Sequence, residues 1–166
     1  MKVVHGNFLH GLNDPSGLVL APACGVLAPD GSLVMGAGAA RSLATRLPGI
    51  ARDLGWAICT SGTRRLDHWV YGLAVAESGP HLAGAFQTKG HWVHPASPEL
   101  ITLAARKLRD YLEQHPGLRA HLAFPGVGLG GLPIQQVARI LGQELQPAMG
   151  RVVLYLLPRK AASPRR

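Results

Sequence analysis

The 166-residue sequence contains only two cysteines, Cys24 and Cys59, nine acidic residues, and four lysines, Lys2, Lys89, Lys107 and Lys160. Two cysteines without metal-ligand spacing exclude a disulfide framework and a cysteine-built metal site. No uninterrupted apolar run approaches the ~18 residues a membrane-spanning helix needs, and Met1–His5 leads into no signal-peptide core, so a cytoplasmic location with no membrane partner is expected. Charged residues make up 16% of the chain and apolar residues 47%, which excludes a disordered, solvating polypeptide. This length suits one core, burying roughly 70% of the unfolded surface. The nucleotide motifs are missing as well. The G-x-G-x-x-G pattern fails because Arg41 stands where its third glycine belongs. No Gly-Lys-Ser/Thr sequence forms a P-loop, and no G-x-S-x-G forms a nucleophile elbow.

The sequence does have a basic excess: 17 Lys and Arg against nine Asp and Glu, a net +8. A basic surface has sequence-independent affinity for phosphates, which admits a nucleic-acid-binding module as one reading. Position narrows that reading. Residues 1–158 hold 13 of the basic and all nine acidic residues, a net +4, and Arg159, Lys160, Arg165 and Arg166 supply the rest. Residues 1–158 are therefore expected to form one domain and 159–166 a basic, disordered tail in weak contact with nucleic acid at most.

Strand-length apolar runs occur at Lys2–His5 and Gly17–Ala21, and a strand-type segment leads from Leu33 into Met35. Helical spacing begins near Ala39 and stops at Pro48-Gly49. A second short helix is predicted over Ile50–Leu54, ending at Gly55. Asp67–Ala76 and His81–Thr88 read as antiparallel strands joined by Glu77–Pro80. Ser97-Pro98-Glu99 opens the clearest helix, which Pro116-Gly117 ends. Ala120–Phe124, a helix from Pro133 and Arg151–Leu157 complete the pattern. Strands alternating with helices predict an α/β protein, a three-layer α/β/α sandwich with a mixed central sheet.

Two glycine-rich turns stand between strands and helices: Met35-Gly36-Ala37-Gly38-Ala39-Ala40 and Gly126-Val127-Gly128-Leu129-Gly130-Gly131. Glycine lets backbone N–H groups approach an anion, and the helix beyond adds unsatisfied donors and positive dipole. Two such turns on one sheet edge suit two linked phosphates; each alone also serves as a tight corner. His91 and His94 have no third ligand at metal spacing, so no metal and no cofactor are expected. Trp92 reads as a stacking surface or a cover for the core edge. Both cysteines read as small buried apolar residues.

These elements resemble the macro domain, nearest the branch of terminal ADP-ribose glycohydrolases and phage and bacterial relatives. The resemblance rests on Gly31-Ser32-Leu33-Val34-Met35-Gly36, Pro48-Gly49-Ile50-Ala51, Leu54-Gly55, Gln87-Thr88-Lys89 and the second glycine loop. It implies a pocket for ADP-ribose, free or carried by a protein or nucleic acid, at the carboxyl ends of the strands. Asn7 and Phe8 would meet the adenine, Asn7 standing where the family usually has Asp. Met35, Gly36, Ala37, Gly38, Ala39 and Ala40 would line the distal ribose and phosphate. Gly126, Val127, Gly128, Leu129 and Gly130 would hold the diphosphate. In the glycohydrolase branch a lysine attacks the anomeric carbon and an aspartate in the second loop completes hydrolysis. Lys89 matches that lysine; the aspartate has no match in Leu129-Gly130-Gly131. The resemblance thus implies ADP-ribose binding, with ADP-ribosyl glycohydrolase activity through Lys89 as one outcome and a non-catalytic, degenerate pocket as another.

Overall fold

A computed structural model describes residues 1–157; Pro158 and the basic tail expected at 159–166 lie outside the described residues. The strands are β1 Lys2–His5, β2 Gly17–Ala23, β3 Thr63–Arg64, β4 Trp69–Val70, β5 Leu73–Ser78, β6 His81–Gln87, β7 Arg119–Ala123 and β8 Val152–Leu156. The helices are α1 Gly38–Arg46, α2 Ile50–Ser61, α3 Pro98–Gln114 and α4 Ile134–Glu144. Six strands form a mixed sheet in the order β1-β8-β7-β2-β6-β5, parallel throughout except for β5 beside β6. This is the three-layer α/β/α arrangement predicted above.

The alternation in β2 explains the layers. Leu18 and Leu20 face one side and pack with Ile101, Leu108 and Leu112 of α3 and with Val137 and Leu141 of α4. Val19, Ala21 and Ala23 face the other, with Leu43 of α1 and Ile50, Leu54 and Ile58 of α2. Each face is covered, so β2 carries no polar alternation. Ser97 accepts from the Leu100 N–H and Pro98 follows at the first turn, which fixes the start of α3.

Four local expectations are corrected. Gly55 does not end α2. A Cβ there would run into the Gly31 carbonyl, so the helix needs glycine where it crosses the Pro29–Ser32 turn. The stretch expected as one strand over Asp67–Ala76 is broken at Gly72, whose φ of 72° belongs to the left-handed region. The part before the break pairs with β3 as a two-residue hairpin. Leu33–Met35 forms one isolated bridge, Leu33 to Leu27, rather than a strand. Cys24 is buried as expected, but Cys59 is exposed on α2.

A polar clasp holds the segment between β1 and β2. Phe8–Asn13 forms a 3-10 turn that crosses the α1/α2 face of the sheet. His121 of β7, only 7% exposed, places Nε2 2.8 Å from Asp14 Oδ2 and Nδ1 2.7 Å from the Tyr155 hydroxyl. With a proton on Nε2 the ring donates to Asp14, and Nδ1 pairs with the Tyr155 hydroxyl. The hydrogen bond from His121, aided by the Ser16 N–H and by the charges of His121 and Arg119, holds the Asp14 carboxyl below its ordinary range against the effect of burial. With the folded value depressed, the stabilisation is present above the unfolded value of about 3.9 and is lost as pH falls through the folded one. Asp14→Asn is therefore expected to lower the thermal midpoint at pH 7, with the gap to the wild type closing below about pH 4. Differential scanning calorimetry from pH 7 to 2 measures this; a gap that stays constant would show that the carboxylate charge is not the source.

Candidate functional site

Because β1, β8, β7, β2 and β6 are parallel, the turns after β1, β2, β6 and β7 emerge on one edge of the sheet. That edge carries Asn7, the Cys24–Ala37 loop, Lys89 and the second glycine loop. A series of backbone hydrogen bonds joins three of these turns. The Gly25 N–H donates to the Gly90 carbonyl at 2.7 Å, the Ser97 N–H to the Thr88 carbonyl at 2.7 Å, and the Ala96 N–H to the Gly130 carbonyl at 3.0 Å. The Trp69 N–H donates to the Gly25 carbonyl at 2.6 Å and brings in the β3–β4 hairpin. Lys89, half-buried, follows β6, between Thr88 and Gly90, whose carbonyls accept from Ser97 and Gly25.

Gln87 organises the centre of this edge. Fully buried, its side-chain oxygen accepts from the N–H groups of Tyr71 (2.9 Å) and Gly72 (3.0 Å). Its nitrogen donates to the carbonyls of Trp69 (2.7 Å) and Lys89 (3.3 Å). All four hydrogen-bonding positions of the amide are used, and they join the hairpin, the Gly72 break and Lys89. Tyr71 adds a bond from its hydroxyl to the Cys24 carbonyl at 2.7 Å, and complete burial pushes its phenol well up, so it stays a donor.

The expected ligand residues divide by what they present. Gly36, Ala37 and Gly38 are exposed and Ala39 is half-buried. No side chain caps α1, so the N–H groups of Gly38, Ala39 and Ala40 have no intrahelical acceptor. Gly38 takes φ 58°, a turn conformation suited to glycine. In the second loop, Gly126 and Gly128 also have positive φ. Among the described residues the N–H groups of Val127, Gly128 and Leu129 donate to no backbone acceptor. Both loops thus present clustered N–H donors at one sheet edge, the arrangement that favours an anion.

Met35, Ala40 and Phe8 are core residues, at 8%, 6% and 5% exposure. Asn7 is exposed, and its side-chain oxygen accepts from the Leu9 N–H at 3.0 Å as the cap of the 3-10 turn. Gly130 is buried because Ala96 packs where its side chain would go. Leu129, by contrast, is 80% exposed. Leu66, Trp92 and Val93 are also exposed, on the β3–β4 hairpin and on the loop after Lys89. Trp92 packs against His91 at a tilt of 37°, with ring centroids 4.1 Å apart. Among the described residues no three His, Cys, Asp or Glu side chains are grouped to hold a metal. No helix among them is long and apolar enough to cross a membrane.

Sequence reasoning missed Gln87, and it missed the pair Asp67 and His68. The His68 ring packs on Gly90, beside Lys89, where any Cβ would come 2.8 Å from it. A cavity of ≈ 330 Å³ opens at the opposite edge of the sheet, between Asp14–Gly17 and Pro80–Leu82. It includes neither glycine loop and borders the Asp14 clasp.

No family model matches the chain, and no curated protein matches it. Solved structures do. The macrodomain of Thermus aquaticus DarG is 22% identical over 95% of this chain and 97% of its own, with a TM-score of 0.73. The macrodomain of Mycobacterium tuberculosis DarG is 21% identical with the same coverage and TM-score. Thermosipho africanus DarTG, solved in complex with ADP-ribose, is 20% identical over 99% of this chain and 43% of its own, at a TM-score of 0.69. The likeness establishes that this chain has the macrodomain fold.

Proposed function

We propose that the protein binds ADP-ribose at the carboxyl edge of its sheet and releases it from a macromolecule through Lys89. The observation that carries the reading is the convergence of two uncapped, glycine-rich N–H clusters with Lys89 and Asn7 on one edge. A diphosphate is the anion that uses both clusters, and Asn7 offers the amide chemistry a base edge needs. ADP-ribose is also the ligand named for the Thermosipho structure of the same fold. Helix-end electrostatics supply roughly 0.3–2 kcal/mol per terminus. Micromolar binding needs about 8 kcal/mol, so contacts to both the adenine and the riboses are required. The exposed Leu66, Trp92, Val93 and Leu129 give a conjugated macromolecule apolar area to meet.

Thermal-shift titration tests the binding. A micromolar ligand at millimolar concentration stabilises by about 4 kcal/mol. For a chain of this size that corresponds to roughly 8–16 °C. Adenosine or ribose 5-phosphate alone is expected to shift the midpoint far less. No shift with millimolar ADP-ribose would overturn the reading.

A further inference from the structure

Hydrolysis at an anomeric carbon requires a group that takes a proton from water, and the second glycine loop offers no carboxylate for it: residues 126–132 are Gly-Val-Gly-Leu-Gly-Gly-Leu. The β3–β4 hairpin does offer such a group. His68 Nδ1 lies 2.6 Å from Asp67 Oδ1, and among the described residues Nε2 makes no hydrogen bond. With Asp67 accepting from Nδ1–H, the neutral tautomer leaves the lone pair on Nε2. The ring is not a loose surface side chain. It is 23% exposed and rests on Gly90, whose lack of a side chain makes the space. The hairpin is closed by the Arg65 N–H on the His68 carbonyl at 2.8 Å and fastened to the end of β2 through Trp69 and Gly25. The ring therefore sits one residue from Lys89, in a loop whose backbone is bonded on both sides.

We infer that His68, oriented by Asp67, is the general base of the hydrolytic step at this edge. The inference rests on the ADP-ribose reading above. His68 Nε2 takes a proton from water as the water oxygen bonds the anomeric carbon. The bond from that carbon to its departing group breaks, and that group, Lys89 Nζ in the covalent route, receives the proton. The step consumes one water and involves no change of oxidation state. Asp67 is a positioning residue. It fixes the tautomer and stabilises the imidazolium that forms, and the His68 contact holds its carboxyl below the ordinary range. The elements that meet at the ring also carry Arg64 and Arg65 on the hairpin and Lys89, His91 and His94 on the loop of Gly90, and the charge of His94 acts on Asp67.

The test uses the full chain and an ADP-ribose derivative carrying 4-nitrophenol on the anomeric carbon. His68→Asn is expected to bind ADP-ribose within about twofold of the wild type while kcat falls roughly 10²–10⁴-fold. It should also lose the acidic limb that an imidazole base imposes on the pH–rate profile. Asp67→Asn should lower kcat less and displace that limb. In the wild type, histidine ring NMR signals assigned by the His68→Asn variant should shift with ADP-ribose and not with ADP. Unchanged kcat and pH profile in His68→Asn, or His68 signals unmoved by bound ADP-ribose, overturns the assignment. Binding without turnover of the nitrophenyl compound by the wild type also overturns it, and leaves the binding reading standing. Failure of ADP-ribose to bind at all removes the reading beneath it.

Discussion

Lys89→Ala is expected to reduce release of ADP-ribose from an ADP-ribosylated protein by roughly 10³–10⁶-fold, the range seen when a catalytic nucleophile is removed, while ADP-ribose still binds. The expectation follows from where Lys89 stands. Its backbone carbonyl is held by Gln87, the next residue is bonded to the end of β2, and Ser97 bonds the residue before it. Little of the pocket depends on the lysine side chain, so truncating it removes chemistry rather than structure. Lys89→Arg separates two roles. A guanidinium preserves charge for a phosphate but cannot lose a proton to become a nucleophile. If Arg restores turnover, Lys89 is an anion contact and the covalent route fails. A neutral lysine amine also condenses with the open aldehyde form of free ADP-ribose. Cyanoborohydride should then fix ADP-ribose on Lys89, and peptide mass spectrometry should find it there and on no other lysine.

Gln87→Leu carries the largest expected loss of stability. Leucine matches the volume, but it strands two buried N–H groups, on Tyr71 and Gly72, and takes a donor from the carbonyls of Trp69 and Lys89. Each unsatisfied buried group costs about 1–3 kcal/mol, so about 4 kcal/mol is expected for the set. The thermal midpoint should fall by roughly 8–16 °C. Gln87→Glu keeps the acceptor and loses the donors, and an intermediate loss is expected. A fall of less than about 2 °C in Gln87→Leu would mean that the hairpin and the Lys89 turn are held by other contacts.

The parts legible in the sequence are those set by neighbours along the chain. The Ser97 cap and Pro98 mark the start of α3, Glu77–Pro80 marks the β5–β6 turn, and both glycine loops stand out against their flanks. Lys89 stood out only through the family resemblance of Gln87-Thr88-Lys89, since a lysine after a strand is by itself an ordinary loop residue. What stayed hidden depends on distant partners. Gly55 reads as a helix stop, yet α2 continues because that glycine faces the Gly31 carbonyl. His121 looks like one polar residue in an apolar strand; its partner Asp14 is 107 positions away. The β3 and β4 strands are two residues each, too short for alternation to register, so the hairpin that carries Asp67 and His68 left no periodic trace. Gln87 resembles an ordinary strand-end polar residue until Tyr71 and Gly72 are brought against it. Phe8 and Met35 were expected at the ligand; their side chains pack in the core beneath α1 and α2, a contact with partners distant in the chain that no local pattern announces.

The position of β8 between β1 and β7 has a consequence for assembly during synthesis. Within the sheet β1 pairs with β8 alone, and their register, Lys2 with Val153 through His5 with Leu156, joins the earliest and latest described strands. The ribosome therefore releases β1 long before its partner exists. The glycine loops, Lys89 and the hairpin can dock around β7, β2 and β6 while β1 waits. Pairing of such remote segments is the slow kind of contact to form. The wall that carries Asn7 is accordingly the last part of this edge to close, and a nascent chain halted before Val152 would hold both glycine loops and Lys89 without a paired β1 beside them.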